Sequence, residues 1–430
     1  MNMETYTILE YESFTREQDI NHNSFKLLPK ATFDKLKQFI IESKSFGDVD
    51  GLDIMSISHK KHIGEVITAK NYVGLIVLND GTIIEILPKI ANADESDTKR
   101  ILLNMLRTLV ELPFKTLSTA NLDMAKLPLL EVFISMFIKE VDSLVKKGLK
   151  SEYLTYQANE TALKGKLLFN NHLKYNFVHK ERFFVEYHPY NINRAENKLI
   201  KTTLQYLYRL CRNAQNKKAL VNLLNLFDDI DISKNIDVDF SNCSNTRDMR
   251  IYEQTLKWAR IFLKGNSFTN LQGTHLATAL LFPMEKLFES YVAEKLSNAL
   301  NCTKFTVSAQ DNSYYLFNKA FSLRPDIVIQ DKESSKTIVM DTKWKKISKS
   351  LFNNGISQSD MYQMYAYGKK YNTQKTVLLY PQNPDNATDI EFDSYDAKED
   401  FANVEVHIRI LDLLDENCVD KIVKDEIIFC

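Results

Sequence analysis

Leu323-Arg-Pro-Asp326-Ile-Val-Ile-Gln330, then the polar turn Asp331-Lys-Glu-Ser-Ser-Lys336, then Thr337-Ile-Val-Met-Asp341-Thr-Lys343 decide the fold of the last third of the chain. Two β-branched, apolar runs flank a turn-forming cluster, so they read as adjacent strands over Ala320–Gln330 and Thr337–Lys343. Side chains alternate along a strand. Asp341 and Lys343 therefore share one face, and Thr342 and Trp344 take the other. Asp326 stands on the neighbouring strand.

Working outward, Pro283 opens a helical pattern that runs to about Leu300, with proline at the first helical position. A strand is expected at Lys304–Ser308 and a helix at Asp360–Tyr371. Further strands are expected at Thr376–Tyr380 and Val404–Ile410. This order suits a mixed central sheet flanked by helices.

Two acids and a lysine converging on one sheet edge are what phosphodiester hydrolysis asks for. Carboxylates hold a hard divalent cation, Mg²⁺ or Mn²⁺ in its place, through oxygen ligands. The cation polarises the phosphoryl oxygen and activates water. A lysine orients that water or offsets charge in the transition state. Asp326, Asp341 and Lys343 are the catalytic candidates, with Asp326 and Asp341 as metal ligands. Glu289, bordering the apolar stripe of the preceding helix, is a third candidate ligand, and Glu285 one turn earlier competes with it. Gln363 and Tyr367, four apart on one helix face, are read as functional. Their neighbours Tyr362 and Tyr365 are read as packing residues.

Upstream the pattern differs. Asn71–Leu78 and Thr82–Leu87 are β-prone runs around Asn79-Asp-Gly81, which reads as a hairpin. From about residue 96 to 275, apolar residues recur three and four apart, as in Arg100–Val110, Leu129–Leu149 and Glu196–Arg212. The expected class is α+β multidomain, in three parts. A β-rich region covers 1–95, a helical middle region 96–275, and an α/β core with a mixed central sheet 276–430.

The 430 residues carry a net charge of -1, so nucleic-acid contact must come from local patches or a partner. The five cysteines include no CxxC pair, which argues against a zinc ribbon and for reduced thiols. No secretory leader or membrane span is read, and a cytoplasmic location is expected. There is no GxxxxGK[ST] loop, so any nucleotide-driven work falls to another chain. His59 and His62, flanking Lys60-Lys61, are read as a basic surface loop.

These residues resemble a known family. Phe282-Pro-Met-Glu-Lys-Leu-Phe-Glu289, Leu323-Arg-Pro-Asp326, Met340-Asp-Thr-Lys-Trp-Lys345 and Ser359-Asp-Met-Tyr-Gln-Met-Tyr-Ala-Tyr367 look like the McrC family, within the PD-(D/E)xK nuclease superfamily. Tyr72-Val-Gly-Leu-Ile76, Glu85-Ile-Leu-Pro-Lys-Ile90, Leu163-Lys-Gly-Lys166 and Asn193-Arg-Ala-Glu-Asn197 are similar to its upstream regions. The resemblance spans most of the chain and is specific in the last third. It implies a double-stranded DNA endonuclease subunit of a GTP-dependent restriction system. The implied partner is a hexameric McrB-like AAA+ GTPase ring, engaged and stimulated by the N-terminal part. Asp326, Asp341 and Lys343 match the family triad, with Asp341 where many such nucleases have glutamate, and Gln363 supports them. Two other readings are a non-catalytic activator of the ring and a stand-alone RecB-like nuclease. The cysteine-bound iron–sulfur cluster common in the latter finds only Cys418 and Cys430 near the C-terminus.

Overall fold

The computed structural model describes residues 4–16, 25–45, 54–109, 127–153, 155–188, 190–244, 246–264, 277–334, 336–348, 350–383, 395–396 and 404–428. Cys430 and the boundary read at 275/276 lie outside them. The chain folds as two compact units, Leu130–Lys264 and a second made of Met1–Leu129 with Gly265–Cys430. It is an α+β protein with several separate sheets.

In the larger unit, the expected hairpin forms: Tyr72–Leu78 pairs antiparallel with Ile83–Leu87. Thr5–Leu9 adds parallel to Ile83–Leu87, and Ala277–Pro283 adds antiparallel to Tyr72–Leu78. A strand from beyond residue 275 thus completes the N-terminal sheet. Gly74 makes its approach possible. Its φ is +131°, and a Cβ there would fall 2.0 Å from the Leu280 carbonyl oxygen. A second sheet orders Phe25–Leu27, Ser13–Thr15, Gly64–Ala69 and Met55–Lys60. Phe14, Ile67, Ile76 and Ile84 of these sheets share one core with Phe33 and Leu36 from the helix Lys30–Ser45. His62 lies at the exposed turn after Met55–Lys60, as the basic-loop reading expects, whereas His59 is an exposed residue of the strand itself.

The sheet that carries the motif residues has six strands. Their order is Phe305–Ala309, Ile327–Asp331, Thr337–Thr342, Lys375–Pro381, Glu405–Leu411 and Tyr395–Asp396. The first three pair antiparallel with one another, Thr337–Thr342, Lys375–Pro381 and Glu405–Leu411 pair parallel, and Tyr395–Asp396 closes the sheet antiparallel. The helix Gln358–Lys370 packs Met364 and Tyr367 on Val339, Leu378 and Val406. The helix Met284–Ala299 starts one residue later than read, with Pro283 as its N-cap at φ -68° and ψ 128°.

The sequence reading differs in one further place here. A single strand over Ala320–Gln330 is not formed. Tyr315–Phe317 and Ala320–Ser322 make a small separate hairpin, and pairing resumes only at Ile327. Pro325 explains the break: it lacks an N–H for a ladder and restricts Arg324 before it.

The smaller unit is helical but not wholly so. Its helices include Ala195–Leu210, Ala214–Leu226 and Glu253–Lys264, with Trp258 stacked on Phe262 at 5.5 Å. It also holds a three-stranded sheet of Lys166–Leu167, Phe183–Tyr187 and Tyr156–Glu160, and a pair of short strands. Asn193–Asn197 is a knot of polar contacts. Arg194 donates to both oxygens of buried Glu196 at 2.7 and 3.0 Å. Asn197 donates to the Ile192 and Lys150 carbonyls and accepts from the Tyr252 hydroxyl.

Candidate active site

The antiparallel register sets Ile327 opposite Met340, so one step further on Asp326 comes opposite Asp341. Asp326 lies just before its strand begins and is fixed by Thr342. The Thr342 backbone N–H and its hydroxyl both donate to Asp326 Oδ2 at 2.7 Å. Asp341 is 1% exposed. It lies two residues from Val339, which packs under the helix Gln358–Lys370, and so faces the same side. Lys343 continues that face: its ammonium meets Asp341 Oδ2 at 2.5 Å and donates to Gln363 Oε1 at 3.1 Å. The Gln363 amide in turn donates to the Tyr367 hydroxyl at 2.7 Å.

The helix Met284–Ala299 supplies Glu289, whose carboxylate accepts from Gln310 at 2.8 Å. Glu289, Gln310, Asn312, Arg324 and Asp326 line an open cleft of about 420 Å³. Its rival Glu285 points elsewhere: its charge is felt by Glu10, Tyr11 and Tyr72, not by the aspartates. Glu289 is the one that feels Asp326 and Lys343.

Electrostatics draw the same cluster together. Burial, and then repulsion by Asp326, push the Asp341 carboxyl up to about 7, against the pull of Lys343. Burial also raises Asp326, opposed by the Thr342 hydrogen bonds. Glu289 is raised by burial and by Asp326. Burial works against the Lys343 charge, but Asp341 outweighs it and the ammonium is held above its ordinary range. Three carboxyl groups that resist ionisation in one place are a site that an added cation would relieve. Among the described residues, however, no three acidic, histidine or cysteine side chains are gathered tightly enough to hold a metal as they stand. The Lys343 ammonium is the positive charge set against Asp341.

On the opposite face, Trp344 packs edge-on against Phe288 at 5.3 Å and donates its indole N–H to Glu10 at 3.1 Å. Nothing local in the sequence marks Glu10. It is fully buried at the end of Thr5–Leu9, also accepts the Lys89 N–H, and is pushed by burial up to about 8. Tyr362 and Tyr365, read as packing residues, are instead 66% and 41% exposed. The helix turns Met364 and Tyr367 inward, and Tyr362 and Tyr365 fall off that stripe. Tyr367 is both core and hydrogen-bond partner, with its hydroxyl raised chiefly by burial.

The cysteines Cys211, Cys243, Cys302 and Cys418 are free, and among the described residues no helix is long and apolar enough to cross a membrane.

The fold is similar to that of a solved chain from a half-complex of Thermococcus gammatolerans McrB AAA+ hexamers with bound McrC. The TM-score is 0.66 at 21% identity, covering 95% of each chain. A cryo-EM structure of the Thermococcus gammatolerans McrBC complex matches at a TM-score of 0.48 and 24% identity, over 69% of this chain and 88% of that one. No curated protein is similar enough to match. The model of the McrBC 5-methylcytosine restriction system component family matches residues 67–381, well over half of the chain. The family resemblance carried by the motifs is thereby borne out: the chain belongs to the McrBC 5-methylcytosine restriction system components.

Proposed function

We propose that this chain is the McrC-like endonuclease subunit of such a system, with a PD-(D/E)xK-type core that hydrolyses DNA phosphodiester bonds. The observation that carries the reading is the convergence of Asp326, Asp341 and Lys343 on two neighbouring strands with Glu289 of the helix Met284–Ala299, all three carboxyl groups being raised. The donor set is all oxygen, which suits Mg²⁺ or Mn²⁺ rather than a soft metal. Asp326 and Asp341 would hold the cation, with Glu289 beside them, once Lys343 swings off Asp341. When bound, such a cation supplies Lewis-acid polarisation of the phosphoryl oxygen and a more acidic water.

The chain's own residues do the rest. Lys343 brings a positive charge to where negative charge grows on the phosphoryl group. Gln363 holds the Lys343 ammonium, and Tyr367 holds Gln363, so the lysine is aimed by two successive hydrogen bonds. Thr342 fixes the orientation of the Asp326 carboxylate with two hydrogen bonds. Arg324 and Gln310 line the cleft where a phosphate would enter.

The partner we propose is a McrB-like AAA+ GTPase ring, engaged through the N-terminal and middle regions. The structural relative comes from an assembly of McrB AAA+ hexamers with bound McrC, and its fold is shared along nearly the whole chain. DNA incubated with this chain, the ring and GTP should be cut in Mg²⁺. A chelator should stop the cutting, and added Mg²⁺ or Mn²⁺ should restore it. Cutting that survives chelation contradicts the reading.

A further inference from the structure

A small hairpin rises from the rim of the cleft. Tyr315 pairs with Ser322 and Phe317 with Ala320, and Asn318-Lys319 form the turn. Its base is closed by the Leu323 N–H donating to the Tyr314 carbonyl at 2.9 Å, and by Tyr314 packed on Tyr371 at 4.5 Å. An isolated two-stranded hairpin is marginal in water, so these base contacts are what anchor it. The outer part is not covered. Phe317 is 65% and Phe321 75% exposed, their rings 6.1 Å apart and edge to face. Phe321 is held at φ +58°, an uncommon conformation for a bulky residue.

Two adjacent exposed phenyl rings offer a surface on which a flat ligand can stack. Three observations say which. The two ends of the hairpin run directly into cleft residues, Asn312 on one side and Arg324 and Asp326 on the other. Cations flank the rings, with Lys319 at the tip and Arg324 at the base. From Asp326 to Phe321 is five residues, at most about 17 Å of extended chain. Bases repeat every ~3.4 Å along a strand, so the rings lie no more than about five base steps from a phosphate in the cleft.

We infer that this hairpin is a base-stacking wedge: Phe317 and Phe321 stack on DNA bases exposed within about five steps of the scissile phosphate, while Lys319 meets the backbone. Stacking on aromatic rings tolerates any sequence, and apolar side chains can also be inserted at an opened base step. The hairpin would thus hold the strand near the catalytic residues without choosing the sequence. The inference rests on the nuclease reading, because it takes the ligand in the cleft to be DNA.

The test uses the full-length chain, Ca²⁺ in place of Mg²⁺, and a labelled short duplex with one unpaired thymidine. Phe317→Ala/Phe321→Ala removes only exposed rings, and circular dichroism should match wild type. Its affinity should fall at least about tenfold. Phe321→Trp should retain affinity, and the duplex should quench its emission beyond any change seen in wild type, whose two tryptophans, Trp258 and Trp344, are buried. Equal affinity of the alanine variant, or no quenching at saturating DNA, overturns the inference. So does a variant that changes only self-association by sedimentation, which would make the patch a contact between copies of this chain. Wild-type cleavage in Mg²⁺ with the partner ring and GTP present, measured in parallel, separates the two claims. If wild type cuts and the hairpin variants bind normally, only the wedge falls. If wild type never cuts, the nuclease reading falls, and quenching still judges the wedge.

Discussion

The Trp344 indole donates to the Glu10 carboxyl at 3.1 Å although the two residues are 334 positions apart. This bond ties the segment after the Asp341 strand to the end of the first strand of the chain. Removing the donor would leave a buried carboxyl short of a partner, at a cost of about 1–3 kcal/mol. Trp344→Phe should therefore lower the thermal midpoint by several degrees.

Glu10 also gives a pH signature. Its carboxyl titrates near 4.5 in an unfolded chain and near 8 in the fold. Between those values the folded state binds the extra proton, so stability falls as pH rises from about 4.5 through about 8. Glu10→Gln should remove that slope and be the more stable protein at pH above 8. Thermal midpoints measured across the range check this, and parallel wild-type and variant curves would contradict it.

The two candidate glutamates should separate cleanly. Glu289 shares its surroundings with Asp326, whereas Glu285 is felt by Glu10 and Tyr72. Glu289→Gln should raise the Mg²⁺ concentration needed for half-maximal cleavage, by roughly tenfold. Glu285→Gln should leave it in place. The measurement is a metal titration of cleavage rate, and the opposite ranking would reassign the ligand.

The Asn193–Asn197 segment should report on stability rather than chemistry. Arg194→Ala leaves Glu196, which is 1% exposed, without its bidentate partner. Breaking a buried pair from one side costs about 3–5 kcal/mol. Denaturant midpoints should drop accordingly. A variant as stable as wild type would show that the neighbouring contacts, such as the Ser244 N–H on Glu196, suffice alone.

Which parts of this were legible follows from the range of the forces involved. Thr337–Thr342 and Tyr72–Leu78 announce themselves because β-branched runs meet turn residues within a few positions. The pairing of Asp326 with the Asp341 strand follows from that same local hairpin. The strand Ala277–Pro283 was not read, because its partner Tyr72–Leu78 lies some two hundred residues away and only Gly74 hints at a close neighbour. Tyr156–Glu160 was missed because it is polar and largely exposed, with no alternation to detect. Glu10 carries no local signal at all, since its meaning depends on Trp344. The Lys343–Gln363–Tyr367 relay was half legible: helical spacing joined Gln363 to Tyr367, but only the fold brings Lys343 to them.

The central claim is that Asp341 and Lys343 perform chemistry rather than merely neutralise each other across their 2.5 Å contact. The most direct measurement is plasmid cleavage by Asp341→Ala and Lys343→Ala, with Mg²⁺, GTP and the partner ring present and binding to the ring assayed alongside. Both variants should lose cleavage while still binding the ring and raising its GTPase rate. A Lys343→Ala variant that cuts as fast as wild type would contradict the account.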